Sequence, residues 1–504
     1  MRPLRFPLAY RLLPLLIAVG APAQAEWQRA ESGHFTIYAD AKPAWVRDYA
    51  LDLERFDMLA RYLFGLEGRD VGMKLTIFVL DTSGDVRSAY GDNAGNVGGF
   101  YVAAAGGAMA VVPRATGGIQ SSDIVLRHEY AHHLMMQYFP AAYPLWYVEG
   151  FADFLSTARF DGHDFADLGT PPPARWLAAT RGNRLGIAKL LDAQPDRLND
   201  FQRGALYAEG WLLTHYLTVS GERKGQIENY LALINAGRPQ AEAATTAFGP
   251  LDRLQADFDR YRKQSRLNYF HLARPFVYAD SVTVAALDAA GQDTIRERLA
   301  LARGVPAEQR LALAVALERA AARYPESAET LAMLAQARLA LDDYDAADAT
   351  ADKAMALDPK LARAALWRGL ADTGRLRKAG NHDATAWQAA RAFIVRANRA
   401  APDDALPLYE NYRIYRWLGM APSQTAQDGL ARAWQLLPQH VGIRIDYARL
   451  LAKTGKRDAA IALLMPLANA PHRSEAAEAA TRMIVAIRAG QVPEDAPMAD
   501  GDEE

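Results

Sequence analysis

The 504-residue chain contains no cysteine. That absence excludes disulfides, thiolate metal ligands and a lipoprotein attachment site, so stability must come from burying a large core. After the first 25 residues there is no apolar run long enough to cross a bilayer, so no membrane span is expected once that segment is removed. Charge of one sign is also lacking: 57 basic residues face 59 acidic ones, for a net charge of −2. Nothing in that balance points to nucleic acid as a partner.

What is present begins at the amino terminus. Arg2, Arg5 and Arg11 precede or flank the apolar run Leu12 to Val19, and Ala23-Gln24-Ala25 fits a small-x-small cleavage site. Residues 1–25 therefore read as a signal peptide, with the mature chain expected to start near Glu26. Its loss removes three arginines and no acids, taking the charge to 54 − 59 = −5. Arg2 and Arg5 are not adjacent, so there is no twin-arginine pattern. Export by the general secretion route to the periplasm, or secretion, is the expectation.

His128-Glu129-Tyr130-Ala131-His132, followed by Glu149-Gly150-Phe151-Ala152-Asp153, carries the chemistry. Residues i and i+4 share a helix face, so His128 and His132 can aim two imidazole nitrogens at one metal. Glu129 sits where its carboxylate can reach an activated water, as a general base. Ser121-Ser122-Asp123 offers capping side chains ahead of the apolar run Ile124 to Met135, and Pro140 ends it, so the motif falls on a helix. A catalytic zinc takes three protein ligands and keeps one position open. Glu149 is the natural third ligand, on a second helical stretch from Leu145 to Thr157. Asp153, one turn on, is placed to orient a ligand histidine, His128 in preference to His132. The bland alternative for the motif is a surface histidine pair.

HEYAH followed by WYVEGFADF resembles the gluzincins, the thermolysin-like and aminopeptidase-like zinc peptidases, and most of all peptidase-MA-like bacterial proteins with a W-x-x-E-G-x-A-[DE] signature, here Trp146 to Asp153. The resemblance spans roughly residues 30–265. It implies one Zn2+ per chain held by His128, His132 and Glu149, with Glu129 as the base and Asp153 behind the ligands. It also implies a sheet ahead of the zinc helix whose edge strand binds the substrate backbone by strand addition. Ala108 to Val112 is the candidate for that edge. An oxyanion donor is needed as well, and Tyr207, on a helical run from Phe201 to Thr218, is the candidate, with His215 a weaker rival. His133 points about 100° round the helix from His132, so it is expected to be solvated or hydrogen-bonded rather than metal-bound. No amine-anchoring glutamate of the aminopeptidase type stands out.

The expected fold class is α+β, a thermolysin-like zincin domain followed by an all-α superhelical domain. Strands are expected at His34 to Tyr38 and Met73 to Leu80, with a helix from Pro43 to Phe64 between them. Two apolar runs, Gly98 to Val102 and Ala108 to Val112, suggest a hairpin. The divisions are 26–120 for the α/β part of the peptidase domain, 121–265 for its helical zinc-binding part, and 266–300 for a connecting segment. Residues 301–490 form a repeat array, and 491–504 an acidic tail of disordered composition. Pro325, Pro359, Pro402 and Pro438 each close a helical run, at spacings of 34, 43 and 36. The unit Ala328 to Pro359 resembles a tetratricopeptide repeat, with Leu334, Ala335, Tyr344, Ala347, Ala354 and Pro359 at its packing positions. An insertion is expected around Ala379 to Thr385. Such arrays form a concave groove suited to a protein partner.

The functional expectation is an exported zinc metallopeptidase acting on a peptide or protein substrate. The alternative is a catalytically weak or inactive peptidase-like scaffold that binds partner proteins through its repeats. A zinc hydrolase acting on another bond is a third class, because metal and base alone do not dictate the substrate.

Overall fold

The computed structural model describes residues 26–491 apart from 70–71, 92–96, 105, 116–121, 162–164, 195–196, 279 and 470–474. The expected signal peptide, the acidic tail from 492 onward and Ser121 of the expected capping run lie outside the described residues. The chain is mostly helical, with a sheet region at its amino-terminal side and helical repeats after it.

The main sheet has six strands: β1 (Trp27–Glu31), β2 (Phe35–Asp40), β3 (Leu75–Thr82), β4 (Phe100–Ala104), β5 (Gly107–Ala115) and, from much later in the chain, Thr283–Ala286. The short strands Arg159–Asp161 and Phe165–Leu168 are β6 and β7, Phe270–Ala273 is β8, and Thr283–Ala286 is therefore β9. The order across the main sheet is β4-β5-β3-β2-β1-β9, while β6, β7 and β8 form a second, three-stranded sheet. β2 pairs with β3 and β3 with β5 in parallel; the remaining pairs are antiparallel.

Period-two alternation assigns the two faces. Phe35, Ile37 and Ala39 of β2, with Leu75, Ile77 and Val79 of β3, point into the main core beneath the helices Pro43–Leu63 and Ser122–Tyr138. Tyr38, Phe78 and Met109 point the other way, to a smaller cluster closed by Ile295 and Leu299. Those two residues belong to the helix Ile295–Arg303. The segment 266–300, expected as a connection, thus supplies β8, β9 and the start of the helix that covers the back of the sheet.

One expectation is overturned here. Ala108 to Val112 lies in β5, which is flanked by β3 and β4, so it is not an edge; the edges are β4, its hairpin partner, and β9 at the far side. The hairpin itself forms, with Val102 opposite Met109 and Ala103 opposite Ala108. Local sequence makes a hairpin legible, but which arm faces outward depends on the pairing with β3, a contact with residues some thirty positions away.

The repeat region is a run of antiparallel helix pairs from Arg310–Arg323 to Glu475–Arg488. Helices end at Arg323, Leu357, Ala400 and Leu436, each just ahead of one of the four prolines. The 43-residue spacing is not a loop insertion. It is taken up by two helices of 17 residues each, Ala362–Lys378 and Ala384–Ala400. Close packing of the pairs requires small residues: a Cβ on Gly369 would stand 2.7 Å from Ile394 Cγ1. Among the described residues no helix is long and apolar enough to cross a membrane.

The array docks on the sheet region largely through the connections between its units. Arg363 donates to the Gly106 carbonyl at 3.0 Å, Leu436 O accepts from Met73 N at 3.3 Å and from Gln137 Nε2 at 3.2 Å, and Asn469 Nδ2 donates to Asn235 O at 3.2 Å. Gln439 Nε2 donates to the Tyr101 hydroxyl, on edge strand β4, at 3.2 Å.

Candidate metal site

The helix Ser122–Tyr138 is held from beneath. Arg127 pairs with Asp52 at 2.6 Å and donates to Ala158 O at 2.6 Å. Tyr130, 2% exposed, packs edge-on against Phe35 and Phe56 and donates its hydroxyl to Asp57. Asp57 in turn accepts from Arg61 Nε at 2.8 Å. A buried carboxylate survives only when matched in this way. The result fixes the rotation of the helix, and so the direction in which His128 and His132 point.

The second helix, Leu145–Ser156, crosses the long helix Asp200–Val219 with Trp146 and Trp211 fully buried near the crossing. Its glycine Gly150 lies where the two backbones meet. Glu149 is thereby brought up to the histidines.

The three atoms His128 Nε2, His132 Nε2 and Glu149 Oε2 form a triangle with sides of 3.1, 3.3 and 3.8 Å. A tetrahedral zinc with bonds near 2.05 Å separates its ligand atoms by about 3.3 Å. Glu149 Oε2 is buried and has no hydrogen-bond partner among the described residues, the condition of a ligand atom waiting for a cation. The donor set, two imidazoles and one carboxylate, is one that zinc takes. Behind it, His128 Nδ1 lies 3.0 Å from Asp153 Oδ1. His132 Nδ1 has no such partner among the described residues.

Sequence reasoning placed Asp153 but missed the residue that holds it. Arg175 Nε donates to Asp153 Oδ2 at 2.6 Å and Nη2 to Oδ1 at 3.2 Å. It stands on the helix Pro173–Arg181, in a stretch whose three prolines read as a loop. Pro173 is in fact the first helical residue, where a missing N–H costs nothing.

Tyr207 is at the site: its ring centroid is 6.3 Å from that of His128. Burial first, and then the nearby Glu149 charge, push its hydroxyl well above the ordinary tyrosine range, so it stays a proton donor. His215 is not at the site. It is fully buried, with Nε2 2.8 Å from Gly169 O and Nδ1 2.9 Å from Tyr261 OH, and serves the core. His133 is hydrogen-bonded rather than solvated: it is 4% exposed, with Nδ1 3.2 Å from the Tyr101 hydroxyl, and burial pushes it down to about 3.

A second group, His34, Glu54 and Asp57, also has ligand-type atoms within 4.8 Å of one another. Its acids are already matched, Glu54 by His34 at 2.6 Å and Asp57 by Arg61 and Tyr130. It is part of the brace beneath the helix.

Charges at the triad give a prediction for metal uptake. Burial works against a charged His128, but the hydrogen bond it donates to Asp153 and the close Glu149 carboxylate, 3.3 Å away, outweigh it and hold the ring up to about 10. His132, disfavoured by burial and only partly helped by Glu149, is pushed down to about 4. At pH 7 the metal-free site therefore carries a proton on His128 and none on His132. Metal binding needs both rings neutral, so zinc uptake at pH 7 is expected to release one proton from His128 and a further fraction from Glu129, whose carboxyl burial pushes up to about 7, and affinity should rise with pH until near 10. Calorimetry in buffers of different ionisation enthalpy reads this directly; uptake with no proton released would show that His128 is neutral beforehand.

The comparisons with known proteins bear on the other end of the chain. Residues 424–484 match the tetratricopeptide repeat model. A crystal structure of a thermophilic TPR protein from Thermus thermophilus is similar at 21% identity, covering 39% of this chain and 100% of that one with a TM-score of 0.33. No curated protein matches this chain. The matched repeats are a class of protein-interaction scaffold. Within the array, helices Arg310–Arg323, Ala328–Leu339 and Tyr344–Leu357 border an open groove of about 690 Å³, lined by Leu331, Leu334 and Leu357 with Glu318, Arg338 and Lys353 at polar positions.

Proposed function

We propose that the chain is an exported, zinc-dependent metallopeptidase of gluzincin type whose repeats bind a protein partner. The observation that carries the enzymatic part is the triangle of His128, His132 and Glu149, whose side lengths suit one tetrahedral zinc, with the buried Glu129, outside the triangle, close enough to feel the charges of His128 and Glu149. Bound zinc would supply Lewis-acid polarisation of a substrate carbonyl and acidify a water. Glu129 takes the proton of the attacking water and passes it to the leaving amine. Tyr207 donates its hydroxyl to the oxyanion. Asp153 holds His128 in the tautomer that leaves Nε2 free. The edge strand β4 offers backbone groups to an extended peptide. The apolar segment near the amino terminus, followed by Ala23-Gln24-Ala25, supports a periplasmic location.

A second reading is favoured by the tetratricopeptide match at 424–484. In it the zinc domain turns over little, and the chain acts as a scaffold whose repeats bind proteins. Freshly prepared, unchelated protein separates the two. The enzymatic reading expects about one zinc per chain and cleavage of a mixed peptide library that is lost on chelation and restored by zinc. Zinc without cleavage would leave the scaffold; no metal at all would remove the site.

A further inference from the structure

We propose that Arg175 is a positioning residue that locks the metal-binding face and the oxyanion donor into one frame, an assignment that rests on the zinc reading above. Four side chains close a circuit. His128 Nδ1 meets Asp153 Oδ1 at 3.0 Å, and Arg175 grips both oxygens of the same carboxylate at 2.6 and 3.2 Å. The Arg175 guanidinium carbon then stands 4.9 Å from the centroid of the Tyr207 ring, and that ring is 6.3 Å from His128.

Each link has a physical consequence. Asp153 is 2% exposed, and a carboxylate bonded only to His128 could swing about its own side chain; the planar fork of an arginine holds both oxygens and removes that freedom. Fixing Asp153 fixes the His128 ring, and with it the direction of Nε2. The same cation lies over the face of Tyr207, an attraction that keeps the ring beside His128 instead of free to rotate outward. Lysine would keep the charge but offers no bidentate grip.

The helix that carries Arg175 is itself seated against the long helix bearing Tyr207, with Trp176 edge-on to Trp211 at 6.5 Å. The residue is thus anchored independently of the metal motif. Asp153 oriented by Arg175 forms an outer layer around His128, and losing such a layer weakens metal binding by roughly 10–100-fold.

The test is zinc affinity, measured on the full chain by competition with a chromophoric chelator, together with thermal unfolding of the metal-free protein. Arg175→Ala is expected to bind zinc about 10–100-fold more weakly and, because it leaves the buried Asp153 carboxylate with His128 alone, to unfold at a lower temperature than wild type in the metal-free state; Tyr207→Phe is expected to leave zinc affinity unchanged. Arg175→Lys, which keeps charge and most of the volume, is expected to recover only part of the lost affinity, and it serves if Arg175→Ala fails to fold. Wild-type affinity in a folded Arg175→Ala or in Arg175→Lys overturns the assignment. A wild-type chain that takes up no zinc overturns the metal reading itself, and the assignment with it.

Discussion

Glu129→Gln is expected to keep its zinc and to lose about 10²–10⁴-fold in peptide cleavage, the contribution a positioned general base makes. Zinc should stay because the three atoms that converge are on His128, His132 and Glu149, and the Glu129 carboxylate is not one of them. Packing should survive too, since glutamine has the same shape and Glu129 is 7% exposed. What changes is the capacity to take a proton. In the metal-free site burial pushes the Glu129 carboxyl up to about 7, with Glu149 and Asp153 adding to the rise and the positive His128 opposing it. A bound dication would lower that value and leave the carboxylate ionised, ready to accept the proton of the attacking water. Zinc analysis and cleavage of a mixed peptide library check both halves. Equal cleavage by the two proteins would remove Glu129 from the reaction, and zinc lost from the variant would make it a ligand instead.

How far the site could be read from the chain depended on sequence distance. His128 and His132, and likewise Glu149 and Asp153, are one turn apart, so helix geometry alone places each pair on a shared face. Joining the two helices at the right distance is a tertiary matter, yet the combined pattern still marked residues that the fold brings together. The repeat boundaries were legible for a similar reason, because a proline after each helix acts within a few residues of itself. Three features were not legible. The edge of the sheet was assigned to the wrong arm of a correct hairpin, since β5 is covered only by virtue of its pairing with β3. Arg175 was hidden within a proline-rich stretch, and its partner Asp153 is 22 residues back. The third is the contact from Gln439 to Tyr101, which spans 338 residues and joins the array to the strand beside the helix of His128 and His132. No local pattern encodes a contact of that kind.

Gly150→Ala is expected to destabilise the protein by about 1–3 kcal/mol, the usual cost of forcing extra volume into a packed crossing, and to weaken zinc binding with it. Gly150 directly follows the proposed ligand Glu149, and its helix meets the long helix at a point where neither backbone can carry a side chain. A Cβ on Gly150 would collide with the backbone carbonyl of Gly210 and stand 2.6 Å from Thr214 Oγ1. The relation is mutual: a Cβ on Gly210 would stand 2.7 Å from the Trp146 carbonyl. Alanine is the better helix former by up to about 1 kcal/mol, which works the other way. Geometry should decide the sign, because the obstacle is main chain and cannot step aside as a flexible side chain would. Relief requires the two helices to move apart, and one carries Glu149 while the other carries Tyr207. Their separation therefore sets both the proposed metal ligand and the proposed oxyanion donor. Thermal unfolding of the metal-free variant and its zinc affinity should fall together. A variant that melts like wild type would mean the helices part at no cost, and wild-type zinc affinity in a destabilised variant would mean that Glu149 reaches the histidines without needing the close crossing.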